Sequence, residues 1–193
     1  MTRSRPVRAD ARRNIDALLA AAKAAFADSG VDAPVRDIAA RAGVGVGTVY
    51  RHFPQRSDLV VAVFQHEVDA CTAAAAELAA EHTPGEALAR WLRRYTEFIA
   101  TKRGLAAALH SGDPAFDALP GYFDHHLRPA LKSLLDTAVA AGQARPDVDP
   151  DDLLPAVANL CFFDDITRPG HARRMVDLLI DGLCRTPRLP SSA

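Results

Sequence analysis

Apolar residues recur every three or four positions along most of the chain, the spacing that lines one face of a helix. Ile15, Leu18, Leu19, Ala22 and Phe26 share such a face and predict a first helix from about Ala11 to Ser29. Gly30 is suited to end it, since glycine accepts the left-handed conformation of a helix stop. Two short helices follow. Ile38, Ala39 and Ala42 mark the first; Val49 and Phe53 mark the second, over Val46–His52. A long fourth helix is predicted from a cap at Ser57 or Asp58 to Glu81, with Leu59, Val60, Val63 and Phe64 inward. Thr83-Pro84-Gly85-Glu86 reads as a capping box that opens a fifth helix, ending near Lys102. Gly104 opens a short helix to His110, and the stretch 111–120 reads as a loop. A seventh helix over Gly121–Ala141 carries Pro129, a candidate kink. An eighth runs from Asp149 to Phe163, and a ninth ends near Cys184.

Little β-branching and much Ala and Leu agree with an all-α fold of about nine helices. The expected organisation is a flexible basic arm at 1–9, a small helical module at 10–56, a larger helical domain at 57–186 and a flexible tail at 187–193.

The stretch Val35–Phe53 organises the rest. Gly43 turns the chain sharply between the two short helices, and Val44 plugs the turn. Two short helices joined by a glycine turn of three or four residues form a helix-turn-helix. The order of residue types is more specific than the spacing. Ile38-Ala39, then Ala42-Gly43-Val44, then Gly47-Thr48-Val49-Tyr50-x-His52-Phe53 resembles the tetracycline-repressor (TetR) family of bacterial regulators. The resemblance covers roughly Asn14 to Leu59; beyond that only size and helical layout are similar. It implies a DNA-binding module whose second short helix enters the major groove.

Candidate DNA contacts follow position by position. Arg36 is the candidate for a guanine, against the alternative of a plain surface arginine. Val46 and Thr48 suit thymine methyl groups, and Gly47 lets the backbones approach closely. Tyr50 and His52 match the family's phosphate-binding pair, and Arg51 reaches either a base edge or the backbone. Arg56 stands where the family usually has Lys, which implies a phosphate contact. Arg3 and Arg5 of the arm suit a minor groove or act as non-specific phosphate attractors. Two positions depart from the family. Pro34 replaces the usual Thr, so a cap and a phosphate contact are lost; Gly45 replaces a capping Ser.

The charge distribution supports this division. The net charge of −1 conceals ten Lys/Arg against five Asp/Glu in residues 1–56, and thirteen against nineteen in the remainder. A basic end on an acidic body fits a nucleic-acid module fused to another domain. Three cysteines, odd in number and far apart, suit a reducing cytoplasm. There is no run of about eighteen apolar residues, and the basic N-terminus lacks a signal peptide's apolar core, so no membrane partner is expected.

In the larger domain, the eighth helix offers Leu153, Val157, Leu160 and Cys161, and the ninth Met175, Leu178, Leu179 and Gly182. The resemblance implies that these two helices pair with their two-fold mates in a homodimer; an internal core is the alternative. The family's small, mostly apolar effectors bind between the fourth and seventh helices. Phe64, Val68, Trp91, Tyr95, His110, Phe123, His126 and Phe162 are the candidate lining, though aromatics at helical spacing also make plain core. Catalytic chemistry finds no support. The pair His125-His126 points apart on a helix, no His/Cys set has zinc spacing, and no Ser-His-Asp or P-loop pattern occurs. The expectation is a repressor released from a palindromic operator in double-stranded DNA by a small hydrophobic effector, with no cofactor and no metal. Its competitors are a DNA-binding regulator without a small ligand and a small helical enzyme that has borrowed the module.

Overall fold

The computed structural model describes the backbone of residues 4–162 and 170–184, and the side chains of 13–161 and 170–184. Every regular element among them is helical. In chain order they are α1 (Ser4–Ser29), α2 (Val35–Ala42), α3 (Val46–His52), α4 (Arg56–Glu81) and α5 (Pro84–Gly104). Then come α6 (Ala106–Leu109), a 3-10 turn (Pro114–Phe116), α7 (Leu119–Ala140), α8 (Pro150–Phe162) and α9 (His171–Cys184). They form two compact units. One runs up to Glu67 and includes Thr101–Pro120; the other holds Val68–Ala100 and the chain from Gly121 onward. Helices α4 and α5 therefore each contribute to both.

In the first unit, Leu18, Ala22 and Phe26 of α1 pack with Ile38 and Ala39 of α2, Val49 of α3 and Leu59, Val60 and Val63 of α4, all nearly inaccessible. Residues 101–120 complete this core with Leu105 and Phe116. Gly104 lets the chain lie close to α1: a Cβ there would stand 3.4 Å from the Phe26 carbonyl oxygen. The buried carboxylate of Glu67 accepts from Lys23 Nζ at 2.6 Å.

Several boundaries differ from the hydrophobic pattern. Helix α1 starts at Ser4, so the expected arm is helical from there. Ala and Arg favour helix, and Pro6 falls in the first turn, whose N–H groups have no helical partner in any case. Arg3 lies outside the described residues, as does the side chain of Arg5. Helix α4 starts at Arg56, and Asp58 accepts from the backbone N–H of Gln55 at 2.8 Å, the back-bonding half of a capping box. At the start of α5, Gln143 Oε1 takes the Gly85 N–H at 2.7 Å, while Glu86 pairs with Arg90 at 2.8 Å. Within the stretch 111–120, Asp113 caps the 3-10 turn by accepting from Ala115 N–H at 2.9 Å. Pro129 sits inside α7.

Helix α4 is long and apolar enough, by length and composition, to cross a membrane. Its apolar side is instead protein core, from Leu59 through Val68 and Cys71 to Ala75.

The second unit is built on stacked aromatics. Trp91, Tyr95 and Phe98 are essentially inaccessible, with centroids 5.8 and 6.0 Å apart along α5. Trp91 Nε1 donates to the Cys71 carbonyl at 2.8 Å. Burial pushes the Tyr95 phenol well above its ordinary range. Leu153, Val157 and Cys161 of α8 belong to this core, together with Val176, Ile180 and Leu183 of α9. That corrects the reading of Leu153, Val157 and Cys161 as an outward pairing face: their own chain covers them. Leu160, Met175 and Leu179 are half-buried, Gly182 is exposed and Leu178 is 66% exposed. The outward stripe is thus narrower than the apolar pattern of α8 and α9, because α8 uses its most regular apolar stripe inward.

Candidate functional site

The recognition module is built around one obligatory glycine. Gly43 ends α2 at φ +68°, a conformation that residues with a Cβ rarely adopt. Its N–H donates to the Ala40 carbonyl at 3.2 Å, and Val44 N–H donates to Ala39 at 3.0 Å. This closes the last turn of α2 and starts α3 after Gly45. Neither short helix has a side-chain cap, as Pro34 and Gly45 lead one to expect.

Val49 is buried and anchors α3, so the other faces of the helix look outward. Residues four apart share a face of a helix. Val46 stacks over Tyr50, Gly47 over Arg51 and Thr48 over His52. Val46 is 39% and Tyr50 54% exposed; Gly47, Arg51 and His52 are exposed and Thr48 is half-buried. Arg36 on α2 is exposed too, its Nε 3.4 Å from Asp37 Oδ1. The exposed set offers two guanidiniums, a phenol, an imidazole and one apolar tip, a chemistry suited to phosphates and base edges.

Arg56 departs from its expected role. Its guanidinium turns inward, with Nε donating to the Val31 carbonyl at 2.5 Å and Nη2 to the Val31 and Ala33 carbonyls. It lies 5.2 Å from the Phe26 ring centroid. Burial lowers its pKa, against the opposing pull of Asp32. Arg56 fastens the turn between α1 and α2. The planar fork of arginine reaches two carbonyls at once, which the lysine usual at this position does not.

The second unit holds a cavity of about 490 Å³ between α4, α5 and α7. Ala75, Ala76, Ala79 and Ala87 form much of its wall, with Pro84, Leu134 and Ala130. Thr72, Ser133, Thr137, His125 and His126 supply its polar atoms, and Pro129 completes it. Of the seven residues expected to line a pocket whose side chains are described, His126 lines this cavity. Trp91, Tyr95, Phe64 and Val68 are closed core. Phe123 stacks on Phe98 at 5.8 Å and lies tilted against Tyr95 at 6.2 Å. His110 is exposed and belongs to the first unit. The side chain of Phe162 lies outside the described residues. Large side chains fill space, so a cavity forms where side chains are small. The alanine run of α4 carried that signal.

His126 is held from two sides. Its Nδ1 is 2.7 Å from the Tyr122 carbonyl, and its ring stacks on the Tyr122 ring at 4.0 Å. Tyr122 in turn donates its hydroxyl to Asp69 Oδ1 at 2.6 Å. Burial, aided by that bond, pushes the phenol up to about 12. Among the described residues no cluster of His, Cys, Asp and Glu is fit to hold a metal ion.

Comparison with known proteins places this geometry. Residues 18–63 match the model for bacterial regulatory proteins of the tetR family. Residues 83–185 match the C-terminal domain of SbtR-like transcriptional regulators. A TetR transcriptional regulator from Streptomyces coelicolor is 37% identical, with a TM-score of 0.78 over 89% of this chain and 99% of its own. A TetR regulator from Mycobacterium vanbaalenii is 38% identical, with a TM-score of 0.76 over 93% of this chain and 100% of its own. A third solved structure, 28% identical with a TM-score of 0.63, covers 95% of this chain and 100% of its own; it is described as the molecular basis for control of antibiotic production by bacterial hormones. Among curated proteins none matches. The model for the C-terminal domain alone spans more than half of the sequence, and the two regulators cover most of it: the chain belongs to the TetR family of transcriptional regulators and is not an enzyme.

Proposed function

We propose that this regulator binds a palindromic operator as a homodimer, represses transcription there, and is released by a small, largely apolar effector. The observation that carries the ligand response is the alanine-walled cavity of about 490 Å³, within the size range of small-molecule sites. An effector that favours a conformation with lower DNA affinity weakens binding by its differential affinity for the two states. The 28% identical protein described in terms of bacterial hormones supports a small-molecule signal.

Two further features support the reading. Leu178 is a large apolar side chain left 66% exposed on α9, beside half-buried Met175 and Leu179, which suits a contact between subunits. Among the described residues the three cysteines form no disulfide, which suits work in a reducing cytoplasm. The test is a genome-wide binding footprint followed by gel-shift titration on the operator it identifies. The expected result is a two-fold symmetric site bound by a dimer and vacated on adding compounds that occupy the cavity. A chain that no compound releases, including those shown to fill the cavity, would be a regulator without a small ligand.

A further inference from the structure

The cavity's polar atoms reveal which end of a hydrogen bond they have left to offer. The Thr72 hydroxyl donates its one proton to the Val68 carbonyl at 2.9 Å. The Thr137 hydroxyl donates to the Ser133 carbonyl at 2.7 Å. Each oxygen therefore faces the cavity with lone pairs. A carbonyl oxygen accepts and never donates, so the 2.7 Å contact to Tyr122 fixes a proton on His126 Nδ1. In the uncharged imidazole this leaves Nε2 as an acceptor. Pro129 has no N–H to give, so the His125 carbonyl, four residues earlier on the same helix, lacks its helical donor. Thr72, Thr137, His126, His125 and Pro129 all line the cavity. The Ser133 hydroxyl and the His125 ring serve as donor or acceptor and do not select. Among the described residues, no Asp, Glu, Lys or Arg lines it.

From this surplus of acceptors, and on the reading of the cavity as the effector site, we infer that the effector is an uncharged molecule with an apolar body that brings O–H or N–H donors. A carboxylate would set its lone pairs against those of the cavity. A cation would meet no anionic side chain among the described residues of the lining. A ligand with acceptors alone leaves the threonine oxygens unpartnered.

Three naphthalenes of similar shape test the inference on the full chain by calorimetric titration at about pH 8, above the ordinary imidazole range. They are 2-naphthol, which donates; 2-methoxynaphthalene, which only accepts; and 2-naphthoate, which is anionic. The expected order is 2-naphthol tightest, by about tenfold or more over 2-methoxynaphthalene, with 2-naphthoate weakest. A Thr72→Val/Thr137→Val variant should narrow the gap between 2-naphthol and 2-methoxynaphthalene: the former loses two acceptors, and the latter no longer leaves those oxygens unpartnered. The three-compound comparison on the unaltered chain stands even if that variant folds poorly. Equal binding of 2-naphthol and 2-methoxynaphthalene, or tightest binding of 2-naphthoate, overturns the donor inference and leaves the cavity as the effector site. The reading beneath it fails separately. If none of the three binds, or if Ala76→Trp binds all three unchanged, the cavity is not the site and the inference falls with it.

Discussion

The two units use their side chains in opposite ways. On α3 the candidate DNA contacts are residues that do not pack: Val49 holds the helix down, and Tyr50, Arg51 and His52 are left in solvent. In the second unit the candidate site is what packing leaves over. Trp91, Tyr95 and Phe98 fill their half of the core, and a cavity remains where α4 offers Ala75, Ala76 and Ala79. A surface that meets DNA is written in residues that protrude. A cavity is written in residues that fall short, and small residues at helical spacing also signal ordinary close packing.

Truncating the aromatic stack of the second unit should have the largest effect. Trp91→Ala should cost about 3–5 kcal/mol, the loss typical of a buried aromatic cut to alanine. Urea denaturation measures it. The lost Nε1 bond to the Cys71 carbonyl adds to the damage. A cost below about 1 kcal/mol would return Trp91 to the wall of an open pocket.

Arg56→Ala is the next test, since it asks whether a basic residue of the first unit serves the fold or the DNA. Two backbone carbonyls, Val31 and Ala33, lose a charged donor, so the expected loss of stability is about 2–3 kcal/mol. Arg56→Lys should restore little, because an ammonium does not span both carbonyls with a rigid fork. Thermal melts read the loss directly. A variant of unchanged stability whose DNA binding falls by a fixed factor at all sequences would restore the phosphate role.

These two residues also mark how far the sequence can be read. The helices, the glycine turn and the exposed face of α3 follow from local rules: period, caps and a φ that demands glycine. The inward turn of Arg56 depends on where the carbonyls of residues 31 and 33 end up, a tertiary fact with no local pattern. The same holds for α8. Its stripe at Leu153, Val157 and Cys161 has the period of any buried face, and period does not tell an internal core from a subunit contact. Residues 101–120 join the first unit through Leu105 and Phe116, which are apolar but carry no sign of their partners.

Two exposed residues sharpen the DNA side. Arg36→Ala and Tyr50→Phe should each shift stability by less than about 0.5 kcal/mol, since neither is core. Their effects on binding should differ in kind. Arg36→Ala should cost about 1–3 kcal/mol at one or two base pairs, because a guanidinium reads guanine through two fixed bonds. Tyr50→Phe should cost about 1 kcal/mol at every sequence alike, the worth of one phosphate hydrogen bond. Titration against single-base operator variants separates the two patterns, and an exchange of patterns would exchange the roles.

The smallest expected effect isolates the demand of DNA from that of the fold. Gly43 has a reason inside the chain, its φ of +68°. Gly47 has none: it is not among the glycines of positive φ, and a Cβ there would meet nothing within 4 Å. It sits second in the seven-residue helix α3, where glycine weakens a helix by roughly 0.5–1 kcal/mol relative to alanine. A residue that costs stability and fills no need of its own chain points to a need outside it, the close approach of another molecule's backbone. Gly47→Ala should therefore raise stability by about 0.5–1 kcal/mol and lower operator affinity at the same time. Gly43→Ala should lower stability, because its left-handed backbone resists a Cβ. Melting and gel-shift titration of the two variants decide the matter together. A Gly47→Ala protein that melts higher and binds DNA unchanged would mean that α3 does not approach the duplex closely at this position, and Val46 and Tyr50 would then carry the contact from farther out.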